Sequence, residues 1–188
     1  MVGRVNMILR MFFLTLRSKR GPRLQPWDVC RTRFRVVLTD LDVLRHMNNG
    51  RYLSIMDLGR LDLMYRSRMW QKLKQRGWYP VVVAQSITYR KSLTLGQSFI
   101  VETQMVGHDT KAFYLEQRFT VGGEIYARAF LRARFLKRTG GALLATEVVE
   151  GLGVDDIPAN RMPEWVRNWA EASTLPATKA PAPSVWDD

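Results

Sequence analysis

The sequence predicts an α+β fold, a curved antiparallel sheet wrapped around one long central helix, with short N- and C-terminal helical extensions. Two observations carry this reading. Between Gly50 and Arg76, Leu53, Met56, Leu61, Met64 and Leu73 recur at roughly helical spacing. After Pro80 the period falls to two, through Val83-Gln85-Ile87-Tyr89, Phe99-Val101-Thr103-Met105, Phe113-Leu115-Gln117-Phe119-Val121 and Ile125 to Phe135. A single helix cannot bury its apolar stripe alone, so the sheet must curve around it. At 188 residues, 46% of them hydrophobic, the chain suits one domain with additional ends.

Residues 1–30 read as a basic and apolar extension with a linker. The run from Met7 to Leu16 is interrupted by Arg10 and followed by Arg17, Lys19, Arg20 and Arg23. It is too short to span a bilayer, and no small-residue cleavage site follows it. An amphipathic surface helix fits, either touching a membrane surface or packing on the protein's own body. Gly21, Pro22 and Pro26 mark the linker. The sheet-and-helix domain is expected over 31–147. Its first strand runs from Arg31 to near Thr39, its helix from Gly50 to about Arg76, and its hairpins turn at 95–97, 107–111, 122–124 and 138–141. Asn48 or Asn49 caps the helix and Gly77 stops it, while Gly59 in its middle implies close packing against the sheet. Residues 142–146 read as a short last strand, 148–173 as a helical extension, and 174–188, rich in Pro, Ala, Ser and Thr, as a disordered tail.

Charge narrows the partners. With 29 Lys and Arg against 17 Asp and Glu, the net charge of +12 favours phosphorylated cofactors, nucleic acid or anionic lipid. The basic residues are dispersed and not interleaved with aromatics as in known modules, so nucleic acid is not expected. One cysteine, Cys30, excludes an internal disulfide and suggests a reducing compartment. The expected location is cytoplasmic, peripheral to the inner face of a membrane. No GxSxG, Walker loop, GxGxxG or HExxH occurs, so no metal and no bound cofactor are expected.

The segment LTDLDVLRHMNNGRYL, 38–53, concentrates the polar chemistry where a strand ends and a helix begins. A helix opening near Asn49-Gly50 offers free amides and a partial positive charge, able to polarise a carbonyl oxygen. Gly50 allows close approach to the backbone. Asp42, just upstream, could attack a carbonyl or orient a water. His46 could fix Asp42 by a hydrogen bond or shuttle a proton, and Asn48 could position water. Each residue also has a structural use, since Asp and Asn before helices cap and turn.

LDVLRHMNNGRYL resembles the signature of thioesterases of the 4-hydroxybenzoyl-CoA thioesterase type, which have the hotdog fold. The likeness is greatest to their long-chain acyl-CoA and acyl-carrier-protein branch, with the pattern D-x-x-x-H-V-N-N-x-x-Y-L. Asp42, His46, Asn48, Asn49, Tyr52 and Leu53 match in order and spacing, and Met47 replaces the usual Val. MDLGR, 56–60, is similar to the acidic-x-x-Arg pattern further along that helix. The resemblance implies an acyl-CoA or acyl-carrier-protein thioesterase. It places Asp42 as nucleophile or general base, with His46 and Asn48 beside it as catalytic candidates. The thioester carbonyl would dock near Asn49 or Gly50, and Tyr52, Leu53 and Met56 would wall the acyl groove. It also implies a homodimer or homotetramer with the acyl site near the subunit interface. Arg90, Lys91, Arg132 and Arg134 are candidates for coenzyme A phosphates. A non-catalytic acyl-binding or membrane-surface protein on the same fold is the alternative.

Overall fold

The structure, a computed structural model, describes residues 2–154, 162–177 and 179–184, with side chains from residue 7 onward. Helix α1 (Val2–Arg20) leads through a linker to strand β1 (Cys30–Arg35) and a 3-10 turn (Leu38–Asp40). Helices α2 (Asn49–Arg66) and α3 (Met69–Arg76) follow, then strands β2 (Trp78–Tyr89), β3 (Ser98–His108), β4 (Phe113–Val121) and β5 (Glu124–Lys137), and helices α4 (Ala145–Leu152) and α5 (Glu164–Ala172). The five strands form one antiparallel sheet in the order β1-β3-β4-β5-β2. This is the α+β arrangement read from the sequence.

Period and packing agree at α2. Tyr52, Ile55 and Met56 form one buried face and pack with Phe99, Val101, Phe119 and Leu131 of the sheet. Gly59 lies at the closest approach. A Cβ there would come within 2.9 Å of Thr103 Oγ1 and 3.0 Å of Val101 Cγ1. The polar heart of the contact is Gln117. Its Nε2 donates to the Met56 carbonyl and to Thr103 Oγ1, and its Oε1 accepts from Arg60. A buried amide is tolerated because its hydrogen bonds are made.

Three sequence readings are corrected. The long helix is two helices: Arg68 adopts a left-handed φ of 60°, and the Ser67 hydroxyl folds back onto the Leu63 carbonyl to close α2. Gly77, also left-handed, ends α3 as expected. The first strand stops at Arg35, because the chain tightens into the 3-10 turn instead of extending to Thr39. Residues 142–146 make only an isolated bridge, Leu136 to Ala142, before α4 starts. The N-terminal extension is helical, as read, and α1 has 19 residues against 18 in α2.

β2 is an edge strand, so Pro80 sits in it without depriving a neighbour of a hydrogen bond. The outer face of the sheet is not bare. Met162, Val166 and Ala170 of the α5 region cover Val106, Tyr114 and Phe130. Among the described residues no helix is long and apolar enough to cross a membrane.

Candidate active site

The segment between β1 and α2 closes into a small hairpin. Asn48 N donates to the Asp40 carbonyl at 2.9 Å, Leu41 bridges Met47, and Asp42 N donates to the His46 carbonyl at 2.9 Å. Met47 is buried, and its amide anchors the hairpin to the Leu93 carbonyl. The two carboxylates of this hairpin differ in role. Asp40 is 0% exposed, and its Oδ2 accepts from Arg10 Nη2 of α1 at 2.6 Å and from the Val37 amide at 3.0 Å. Asp42 lies at the half-exposed tip, where Oδ1 accepts from the Leu44 amide at 2.9 Å and the His46 amide at 3.3 Å. The hydrogen bond expected between Asp42 and the His46 ring is therefore made by the His46 backbone. The His46 ring is exposed.

α2 opens as the sequence suggested, with a division of labour. Asn48 is its cap, and its Oδ1 accepts from the Gly50 amide at 2.9 Å. That leaves the Asn49 amide, which donates to no described group, as the exposed N–H at the positive end of the helix. The Asn49 carbonyl accepts from the Tyr89 hydroxyl at 3.4 Å, which ties this end of α2 to the end of β2.

The three expected wall residues separate. Tyr52 and Met56 are core: Tyr52 lies with ring centroids 5.0 Å from Tyr89 and 4.8 Å from Phe119, and Met56 is fully buried. Burial raises the Tyr52 hydroxyl above its ordinary pKa. Leu53 is half-buried and lies on a different stripe of α2, with Asn49, Asp57, Arg60 or Leu61, and Met64 at successive turns. That stripe leads from the amide end of α2 to an apolar chamber of about 490 Å³. Leu61, Met64, Met69 and Trp70 form its helical wall, and Met105, Phe113, Leu115, Ala133 and Phe135 its floor. Tyr79 to Val82 of β2 form its outer rim. At its mouth Asp57 pairs with Arg60, whose guanidinium is held below its usual pKa by burial, against the pull of Asp57.

Asp42 does not line this chamber. Within one chain the structure brings Asp42, the His46 backbone, Asn48, Asn49 and Gly50 into one hairpin-and-helix-start unit, and sets the chamber further along α2. Sequence reading missed the chamber because its walls come from six elements. Arg90 and Lys91 both pair with Glu124 at 2.8 Å, and Arg132 reaches Asp109 at 3.4 Å. Cys30 is no nucleophile: burial, with the Asp62 carboxylate adding, pushes its thiol up to about 12.

Sheet, enclosed helix and hairpin together define a hotdog protein of the thioesterase class. The family model described as thioesterase-like superfamily matches residues 36–170, and the chain belongs to that superfamily. Among individual proteins, the chain is 40% identical over 95 residues to protein THEM6 of Xenopus laevis, covering 50% of this chain and 46% of that protein. Against protein THEM6 of Drosophila melanogaster it is 28% identical over 143 residues, covering 74% and 71%. Against the long-chain acyl-CoA thioesterase FadM of Escherichia coli K12 it is 30% identical over 93 residues, covering 48% and 70%. The match spans about half the length of the frog relative. The crystal structure of YbaW, a probable thioesterase from Escherichia coli, superposes with a TM-score of 0.62 at 28% identity, covering 65% of this chain and 96% of that one.

Proposed function

We propose that this protein is an acyl-CoA or acyl-carrier-protein thioesterase acting as a homodimer whose sites are shared between copies. The observation that supports this most is the separation, on one chain, of the unpartnered Asn49 amide beside the hairpin from the apolar chamber further along α2. A thioester carbonyl at the Asn49 amide has its developing negative charge stabilised by the helix end. The acyl tail then enters the partner copy's apolar chamber, which twofold pairing sets beside that amide. Asp42 serves as the base that directs water, or as the nucleophile. A thiolate leaves readily, so one carboxylate and a polarising amide suffice.

The free edge of β2 supports the dimer. It is 12 residues long and exposes Val82, Val83 and Tyr89. A long edge with exposed apolar side chains invites another strand. Twofold pairing of β2 with its own copy runs antiparallel. The Tyr89 end, bound to Asn49 and next to the hairpin, then lies beside the partner's Tyr79 end, which rims the chamber. The same pairing offers a cover for the exposed hairpin tip, where Val43 is 97% exposed. Pairing through the outer face of the sheet is disfavoured where α5 already covers it.

The test is thiol release from a panel of acyl-CoA and acyl-carrier-protein substrates of rising chain length, by wild type and Asp42→Asn. Asn keeps the oxygen that accepts from Leu44 and His46 and removes the charge. The expected loss is roughly 100-fold or more, within the range for a general base. Equal rates in the two proteins would contradict the assignment. Tight acyl-CoA binding with no turnover by wild type would favour an acyl-binding protein.

A further inference from the structure

Helix α1 is turned inside out for a helix that only packs on its own domain. Its inner stripe, spaced every four residues, is Arg10, Leu14 and Ser18. Arg10 locks into buried Asp40. The Ser18 hydroxyl donates to Asp62 Oδ1 at 2.7 Å, and Thr32 Oγ1 donates to the other oxygen at 2.6 Å. The opposite side presents Ile8, Leu9, Phe12 and Leu16, with Phe13 and Met11 on its flanks. All are exposed, Phe13 at 64% and Ile8 at 60%. Lys19 and Arg20 continue that same side past the apolar stretch, and Arg17 and Arg23 adjoin it. Arg10 also donates to the Arg35 carbonyl, and α1 packs on the 3-10 turn.

We infer that this outer side of α1 is a docking surface for an anionic lipid bilayer. A polar inner lock and an apolar outer stripe are the reverse of a helix held by burying its own apolar side chains. A solvated helix has no use for six neighbouring apolar side chains. A strip of Phe, Leu and Ile with a basic end is the pattern that seats in the headgroup and acyl boundary of a negatively charged surface. A second copy is the less suited occupant, because its α1 carries no Asp or Glu to meet Arg17, Lys19, Arg20 and Arg23.

The experiment is co-sedimentation of the full chain with vesicles of phosphatidylcholine alone and of phosphatidylcholine with phosphatidylglycerol. It needs no turnover, so its result stands apart from the thioesterase reading. Wild type should partition at least tenfold more strongly onto the anionic vesicles. F12S/F13S, altered only at exposed positions, should lose at least tenfold of that partitioning with its melting temperature unchanged. R17Q/K19Q/R20Q should bind both vesicle types alike. Undiminished binding by F12S/F13S, or no binding of wild type to anionic vesicles, would overturn the inference. So would a particle mass that halves in F12S/F13S while wild type ignores vesicles, since a second copy would then own the face.

Discussion

The base and the tip of the 40–48 hairpin carry the same side chain in opposite settings. At the base, Asp40 is fully buried against Arg10, and its carbonyl receives the amide of the α2 cap. At the tip, Asp42 is half-exposed and bonded only to amides of its own turn. The first carboxylate is fixed by a distant helix and cannot meet a substrate. The second is open enough in space to meet one. Proximity of two acidic residues in sequence thus says little about shared chemistry; the partner that reaches each of them decides.

Substitutions should separate the two. The largest effect on stability is expected at the base. Asp40→Ala leaves the Arg10 guanidinium, itself only 13% exposed, without its counter-charge. Breaking a buried pair costs about 3–5 kcal/mol. In a chain of this size that lowers Tm by roughly 10 °C, measured by calorimetry. At the tip, Asp42→Asn should lose roughly 100-fold in kcat, about 2.7 kcal/mol of barrier, with Tm almost unmoved. A matching drop in Tm for both variants would erase the distinction. Next in size is Gly59→Ala. The added methyl meets Thr103 and Val101 at 3.0 Å or less and forces α2 off the sheet. The expected cost is about 2 kcal/mol, read as a shift in denaturant midpoint.

The smallest effect concerns a carboxylate that is neither base nor tip. Asp109 is bound by the Tyr114 hydroxyl at 2.7 Å, by the Lys111 and Ala112 amides, and by Arg132. Burial works to raise its pKa, but these donors outweigh it and hold the carboxyl below its ordinary value. The same burial, together with Asp109, pushes the Tyr114 hydroxyl up to about 12. A depressed carboxyl stabilises the fold fully above its unfolded pKa, about 4, and loses that contribution as pH falls through the lowered folded value. Asp109→Asn should therefore flatten the acid limb of the stability-pH curve below about pH 4. The effect should stay under about 1 kcal/mol, because the group is partly exposed. An unchanged acid limb would show that the bonds around Asp109 are not formed in solution.

Legibility from sequence followed the range of the contacts. The Asn48 cap and the start of α2 rest on neighbours within a few residues, so a contiguous string announced them. The 40–48 hairpin was not read, because Arg10 and Leu93 help to hold it. Gly59 was legible because a glycine in a helix has few reasons to persist other than close packing. The break at Ser67-Arg68 was not, because the apolar spacing continues across it into Leu73 and the left-handed turn falls on an Arg. Arg10 read as an interruption in an apolar run. Its meaning depended on Asp40, 30 residues on. The chamber was invisible for the same reason: Met64, Trp70, Tyr79, Met105 and Ala133 share no local pattern, and only the fold collects them. The period-two reading of β2 gave a strand but could not say that it ends the sheet.

The shared site is open to one direct measurement. Asp42→Asn spoils the hairpin and leaves the chamber; Ala133→Trp fills the chamber and leaves the hairpin. Each variant alone should be nearly inactive on long acyl thioesters. If one copy's hairpin serves the other's chamber, unfolding and refolding the two variants together creates mixed dimers with one intact site each. About a quarter of wild-type activity should return, since half of random pairs are mixed and one of their two sites is whole. No recovery, with mixed dimers shown to have formed, would place hairpin and chamber in the same chain and contradict the account.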